Sequence, residues 1–351
     1  DYSLYQTQPT ETTAKGKENF ISILIPVKNC ADRIYNNLTS LIRDLEKMPE
    51  NTGFEFLICL NNCKDNSTLE VIRLLKDFPY ISAKVIEFNS HFYIKSKKIP
   101  INVIFQFLQK QHKSIKKINP SLKQYIHFHD DDIIYKEPNG ISGVFKNIQE
   151  LNRYKNLKLT SGIYATFKAG KGFDFINSVT KDIRILHKVK LPPVQIYGGA
   201  ATMPLNAFPE AGIPTSVKGF DAFMSTYLLM DQLKSNGDIN IFDLPSRSNP
   251  NLFVEHPEEK SINKYIKRLI RDYEFKASIY QYFPKEKIDK FYKLRKRQFN
   301  AIRKIILNLD GADSLKVGFL FYNNFRMAVK RKYKKGILNQ TVLQKFQRKI
   351  I

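Results

Sequence analysis

The sequence predicts an α/β protein: a mostly parallel sheet flanked by helices, followed by a basic α-helical C-terminal region. Three observations carry this. Short apolar runs of strand length alternate with stretches of helical periodicity over the first 130 or so residues. One of those runs, Tyr125–Phe128, stops abruptly in Asp130, Asp131 and Asp132, and in such sheets ligands bind at the carboxyl ends of the strands. The charge is lopsided: of a net +24, +19 falls from Lys260 onward, where 25 Lys and Arg face 6 Asp and Glu.

The elements follow in order. Residues 1–19 are polar and read as a flexible leader. Phe20–Val27 reads as a first strand buried on both faces, and Ile34, Leu38, Leu41, Ile42 and Leu45 mark a helix over Ile34–Leu45. Phe54–Leu60 is a second strand, Leu69–Phe78 a second helix, Ala83–Phe88 a third strand, Pro100–Gln111 a third helix and Tyr125–Phe128 a fourth strand. Strands and helices alternating at this spacing imply parallel pairing with helices on both sides. The loops after Val27, Leu60 and Phe128 therefore matter most. From Gly162 to about Asp243 the pattern is irregular and rich in Gly and Pro, with tight turns at Gly198-Gly199 and Gly219. Beyond Pro257 it turns helical. One stripe runs Ile262, Tyr265, Ile266, Leu269, Ile270, Tyr273, and a second runs Ile288, Phe291, Tyr292, Phe299, Ile302, Ile306, Leu309. Such stripes serve helix–helix contact or, with lysines around them, a membrane surface.

Composition excludes several classes. Apolar residues make up 42% of the 351, enough for a sizeable core, yet no run approaches a membrane-spanning helix. No signal-peptide pattern is visible, and the opening at Asp1 rather than Met leaves the native N-terminus an open question. Cys30, Cys59 and Cys63 are few, odd in number and without zinc-site spacing, which points to a reducing compartment and away from a disulfide framework. The basic tail suits an anionic surface: lipid headgroups, a glycan or nucleic acid.

Three adjacent carboxylates repel one another unless something positive sits against them. Hard divalent cations take oxygen ligands, and Mg²⁺ or Mn²⁺ shared with a diphosphate needs only one or two carboxylates. The triplet is thus a candidate metal–phosphate site, with a solvated acidic turn as the alternative.

At these residues the chain resembles the GT-A (Rossmann-like) glycosyltransferases of family 2, over roughly 20–257, with the motifs in the family's order. Ile23-Leu-Ile-Pro-Val-Lys-Asn29 is similar to the opening strand, so Pro26, Val27 and Asn29 are expected along the nucleotide. Leu60-Asn-Asn-Cys-Lys-Asp-Asn-Ser-Thr68 resembles the next loop, with Asn61 or Asn62 where an acidic residue usually meets the base; an amide can still read a pyrimidine edge. Asp65, Ser67 and Thr68 also fit a helix N-cap. Lys97 and Asn102 in Ser96-Lys-Lys-Ile-Pro-Ile-Asn102 keep the spacing of a segment under the donor; a surface lysine is the alternative.

The triplet resembles the family's Asp-x-Asp. That implies Asp130 against the ribose or metal shell and Asp132 on the metal. In a second alignment His129 takes the first position, with Asp131 and Asp132 as the later ones, so Asp131 also counts as donor-binding. Gly198 and Gly199 look like the small-residue segment that shapes the donor-sugar pocket, with tight packing as the alternative. Asp221, in Gly219-Phe-Asp-Ala222, aligns with the catalytic base of inverting members, with Phe220 where a Glu is usual and an N-cap role as the alternative. His256 sits where a late histidine completes the metal shell; an exposed loop histidine is the alternative. The processive-synthase signature is absent and the chain has no Trp.

The resemblance implies three segments: a leader (1–19), a GT-A domain (20–257) and a basic helical region (258–351) that docks on a membrane or acceptor. The activity it implies is that of a metal-dependent inverting glycosyltransferase of hexosyl or N-acetylhexosaminyl type. It would use Mn²⁺ or Mg²⁺ and a nucleotide-sugar donor, expected to be UDP-linked. The acceptor would be a glycan or lipid-linked molecule in surface polysaccharide or glycoconjugate synthesis. The expected place is the cytoplasm, at the inner face of an anionic membrane. A non-catalytic nucleic-acid-binding protein using the basic tail is the alternative, but nucleic acid leaves the acidic triplet unexplained. A nucleotidyltransferase would need a Gly-rich first loop, and Lys28-Asn-Cys-Ala-Asp32 has no glycine.

Overall fold

In the computed structural model the described residues are 2–7, 13–88, 98–135, 140–166, 199–214, 217, 220–236, 245–256, 270, 274, 281–308, 327 and 331. The chain forms two compact units. The first comprises Asp1–Tyr164, Val194–Thr215 and Leu244–His256; the second comprises Ala165–Pro193, Ser216–Asp243 and Pro257–Ile351.

The first unit is built on a nine-stranded sheet. Its elements are β1 (Tyr2–Gln6), β2 (Asn19–Val27), α1 (Ile34–Leu45), β3 (Thr52–Asn61), α2 (Ser67–Asp77), β4 (Ala83–Phe88), α3 (Lys98–Ile118), β5 (Lys123–His129), β6 (Ile134–Tyr135), α4 (Gly143–Arg153), β7 (Leu159–Thr166), β8 (Ala200–Pro204) and β9 (Ser246–His256). The strand order is β1-β4-β3-β2-β5-β8-β7-β9-β6. The centre, β4-β3-β2-β5, is parallel as the alternation implies. The flanks turn antiparallel, β1 on β4, β8 on β5, β7 on β8 and β6 on β9.

The leader expected to be flexible is, over Tyr2–Gln6, an edge strand paired with Phe88–Lys84. Backbone hydrogen bonds to an open sheet edge fix it, and a polar sequence does not prevent that because such an edge offers a ladder to any extended segment. Thr7 extends the attachment: its hydroxyl donates to Ile81 O at 2.7 Å and accepts from Ala83 N at 2.8 Å.

The core follows the period-2 pattern of β2. Ile21, Ile23, Ile25 and Val27 pack with Ile34, Leu38, Leu41, Ile42 and Leu45 of α1, all essentially inaccessible. Each such side chain contributes roughly 1.5–3 kcal/mol by leaving water. Pro26 lies in this central strand without an N–H to donate. The β2–β5 ladder stops at Leu24, two residues earlier, while β2 stays paired with β3 to Val27. Ser22 carries a buried polar cluster. Its hydroxyl donates to Glu55 at 2.7 Å, Gln111 of α3 donates to the same oxygen at 2.8 Å, and Lys84 lies 3.9 Å from the other.

In the second unit, α5 (Phe220–Asn236) packs against α6 (Lys285–Leu307). Ile288, Phe291 and Leu294 are buried, and Phe223 meets the rings of Tyr282 and Phe283 at about 6 Å. The first turns of the second predicted stripe therefore serve helix–helix contact. Of the first stripe, only Ile270 is among the described residues, and it is buried. No described helix is long and apolar enough to cross a membrane.

Candidate functional site

The carboxyl ends of β2 and β3 are tied into one platform. Asn29 Oδ1 accepts from Lys64 N at 2.8 Å, Ser67 Oγ from Cys30 N at 2.9 Å, and Asp65 Oδ2 from Ala31 N at 3.0 Å. Asp65 Oδ1 also accepts from the amide and hydroxyl of Ser67 at 3.1 and 2.5 Å. These donors outweigh desolvation and hold the Asp65 carboxyl below its ordinary range. Asp65 thus clamps two loops as well as leading into α2, more than a capping role predicts. Asn29 and Asn62 have φ of +47° and +51°, a left-handed conformation that Asn tolerates better than other side-chain-bearing residues. Asn61 ends β3, buried opposite Phe88.

The acidic triplet turns off the end of β5, with each aspartate in a different setting. Asp131 faces inward and is buried. Its Oδ2 accepts from Lys28 N at 3.3 Å, and its carbonyl accepts from Asn37 Nδ2 at 2.7 Å. Burial, then the Asp131 charge and hydrogen bond, push the Cys30 thiol far above its ordinary range, so it stays protonated and inert. Asp130 and Asp132 are half-buried. Asp130 N donates to Gly199 O at 3.0 Å, which joins the buried Gly199 to the triplet. His129, a candidate first acid-site position, is 1% exposed and stacks on Tyr135 with centroids 5.7 Å apart.

β9 approaches the same turn. Tyr135 pairs with Val254 and Ile134 with Glu255 in antiparallel register, so the next residue, His256, continues toward Asp132 along the backbone. Irregular sequence from Gly162 on hides this pairing, since two-residue β6 has no periodicity to read.

Beneath the turn lies a buried polar chain that the sequence reading missed. His127 Nε2 meets Tyr135 OH at 2.6 Å and Nδ1 meets Thr202 Oγ1 at 2.8 Å. Asn147 Nδ2 donates to Thr202 Oγ1 at 3.0 Å, and Asn249 Nδ2 to Asn147 Oδ1 at 2.9 Å. The available signal was His127 and His129 two apart in an apolar run, which demands polar partners on one face. Burial, then the charge on His129, depress the His127 pKa well below 6.5, so His127 is neutral. Burial, then Asp44, raise the Tyr135 phenol. A base with a depressed folded pKa contributes stability that is full above its unfolded value and is lost as pH falls. Urea denaturation is therefore expected to show stability declining below about pH 6.5, and His127→Gln is expected to flatten that slope.

The other expected site residues fall as follows. Asn102 holds the backbone of Ile213: its Oδ1 accepts from Ile213 N and its Nδ2 donates to Ile213 O, both at 2.8 Å. Next to it Gly212 has φ +74°, and a Cβ there would lie 2.8 Å from Asn102 Oδ1. Asp221 is the second residue of α5, in the second unit. Lys97 and Gly198 lie outside the described residues.

Among the described residues no group of three or more His, Cys, Asp or Glu could hold a metal by itself. Two half-buried carboxylates at the turn, Asp130 and Asp132, could serve as a donor set. That set fits Mg²⁺ or Mn²⁺ completed by phosphate oxygens, and it does not fit a closed zinc site.

No family model matches the sequence, and no curated protein matches it. Among solved structures the chain is similar to a mannosyltransferase from Pyrobaculum calidifontis in complex with GDP-Man and Mn²⁺. Identity is 12%, 92% of this chain and 84% of that one are covered, and the TM-score is 0.54. A second is glucosyl-3-phosphoglycerate synthase from Mycobacterium tuberculosis, in complex with phosphoglyceric acid, at 15% identity over 74% of this chain and 82% of that one, with a TM-score of 0.40. At these identities the likeness concerns architecture alone, and it rests on the first. The parallel β4-β3-β2-β5 centre, the acid turn closing β5 and that superposition together give this chain the GT-A fold.

Proposed function

We propose that the chain is a metal-dependent, inverting glycosyltransferase that moves a hexosyl or N-acetylhexosaminyl group from a UDP-linked donor to a glycan or lipid-linked acceptor. The observation that carries this reading is the acid turn in its GT-A setting. Asp131 is turned inward, and Asp130 and Asp132 are left at the carboxyl end of β5. The similar mannosyltransferase, solved with GDP-Man and Mn²⁺, supports the same class.

Asp132, with Asp130 and His256, would hold Mn²⁺ or Mg²⁺. When bound, the ion supplies neutralisation of the departing diphosphate. Pro26, Val27, Asn29, Asn61 and Asn62 would line the base and ribose, Gly199 with Gly198 would let backbone approach the sugar, and Lys97 would face phosphate. Asp221 would take the acceptor hydroxyl proton as that oxygen attacks the anomeric carbon. The basic region 258–351 would hold the enzyme against the cytoplasmic face of an anionic membrane in surface glycoconjugate synthesis, where each lysine adds about 1 kcal/mol.

Release of nucleoside diphosphate from a panel of UDP- and GDP-sugars, with Mn²⁺ and candidate acceptors, tests this. Asp221→Asn is expected to lower kcat by about 10²–10⁴-fold with donor KM little changed. The product is expected to carry the anomeric configuration opposite to the donor's by NMR. A retained configuration contradicts the inverting mechanism, and full activity in Asp221→Asn contradicts its base.

A further inference from the structure

We infer that Tyr135 and His127 are positioning residues for the proposed metal site: their buried hydrogen bond holds the acid turn in register with the end of β9. This rests on the functional reading of Asp130 and Asp132. The turn leaves β5 at His129 and returns as β6, which is only Ile134 and Tyr135. Those two residues pair with Glu255 and Val254, the pairs that bring His256 alongside. A two-residue ladder alone fixes register weakly, because few backbone bonds hold it. The side chains complete the attachment. Tyr135 OH reaches back across the turn to His127 at 2.6 Å, and His127 is held from its other nitrogen by Thr202 at 2.8 Å. Tyr135 N also donates to Ser40 Oγ of α1 at 3.1 Å.

His127 and Thr202 are fully inaccessible and Tyr135 is 4% exposed, so water cannot replace these bonds. One bond thus ties β6, whose backbone pairs with β9 next to His256, back to β5, from whose end the turn with Asp130 and Asp132 leaves. Losing it leaves every proposed ligand present but lets the turn and the end of β9 drift apart. Groups that orient metal ligands without touching the metal typically set affinity by about 10–100-fold.

The test is Mn²⁺ titration of the full chain, followed by the EPR signal of free Mn²⁺, in saturating UDP and separately in saturating GDP. Tyr135→Phe is expected to weaken Mn²⁺ binding about tenfold. Thr202→Val is expected to do the same, while Thr202→Ser, which keeps the hydroxyl, restores near-wild-type affinity. Leu108→Ala, a cavity variant on α3 away from the turn, is expected to lower thermal stability and leave Mn²⁺ affinity unchanged. If Tyr135→Phe fails to fold, the Thr202 Val and Ser pair decides. Wild-type Mn²⁺ affinity in both Tyr135→Phe and Thr202→Val overturns the positioning role and leaves the functional reading standing. Wild-type protein that binds no Mn²⁺ with either nucleotide overturns both.

Discussion

Asp132→Ala is expected to abolish metal-dependent nucleotide binding, weakening it by at least about 100-fold, while leaving the thermal midpoint within a few degrees of wild type. The first half follows from donor count. Asp132 is the main proposed metal ligand, and a hard cation left with Asp130 and His256 would have to replace a carboxylate oxygen with phosphate or water. The second half follows from electrostatics. Asp130, Asp131 and Asp132 are adjacent like charges, so removing one relieves repulsion in the metal-free protein. Asp131→Ala should behave in the opposite way. That carboxylate is buried, it receives Lys28 N, and it is hydrogen-bonded to Cys30. Its loss leaves a buried donor unsatisfied, at about 1–3 kcal/mol. Calorimetry and thermal melts on the two variants separate ligand from scaffold within one triplet.

The largest stability effect is expected from Asp44→Ala. Asp44 sits in the last turn of α1 and caps the start of α4. Its two oxygens accept from Ser142 Oγ at 2.7 Å, Gly143 N at 2.8 Å and Val144 N at 3.1 Å. Ser142 is the N-cap and its own oxygen receives Phe145 N. Truncating the carboxylate strands two buried amides at a helix N-terminus, where the helix dipole also favours negative charge. The expected cost is about 2–4 kcal/mol in urea unfolding. The damage also reaches α4, whose Asn147 supports Thr202.

The pH dependence has a definite sign. Burial pushes the Asp44 carboxyl above its ordinary value of 3.8, although Ser142, Gly143 and Val144 oppose the shift. A raised folded pKa contributes stability that is full below the unfolded value and is lost as pH rises through the folded one. The deficit of Asp44→Ala relative to wild type is therefore expected to widen on acidification toward pH 3.8. A constant deficit across pH would contradict this assignment.

The centre of the sheet was legible because its cause is local. Ile34–Leu45 and Ala83–Phe88 coincide with predicted elements, since buried parallel strands and one-sided helices write their burial into the sequence. Other elements owe their structure to distant partners. β1 is polar and exists because β4 offers an edge. β6 and β9 find each other across more than a hundred residues, and no periodicity over two residues announces it.

The site divides the same way. The sequence marks three aspartates, but only packing against Lys28, Cys30 and Asn37 decides that the middle one turns inward. The spacing of Asn102 matches a motif, yet both ends of its amide are committed to Ile213, because the left-handed turn at Gly212 brings that backbone within reach. Asn29 and Asn62 also suit their positions for a backbone reason, positive φ, which a motif comparison does not register.

The most direct measurement of the central claim, that the β5 acid turn is a metal–nucleotide site, is calorimetric titration of UDP and of GDP into the wild-type chain with and without Mn²⁺. Binding of UDP that requires Mn²⁺ is the predicted result. Mn²⁺-dependent binding of GDP alone would keep the site and change the donor, whereas no nucleotide binding under any of the four conditions would contradict the account.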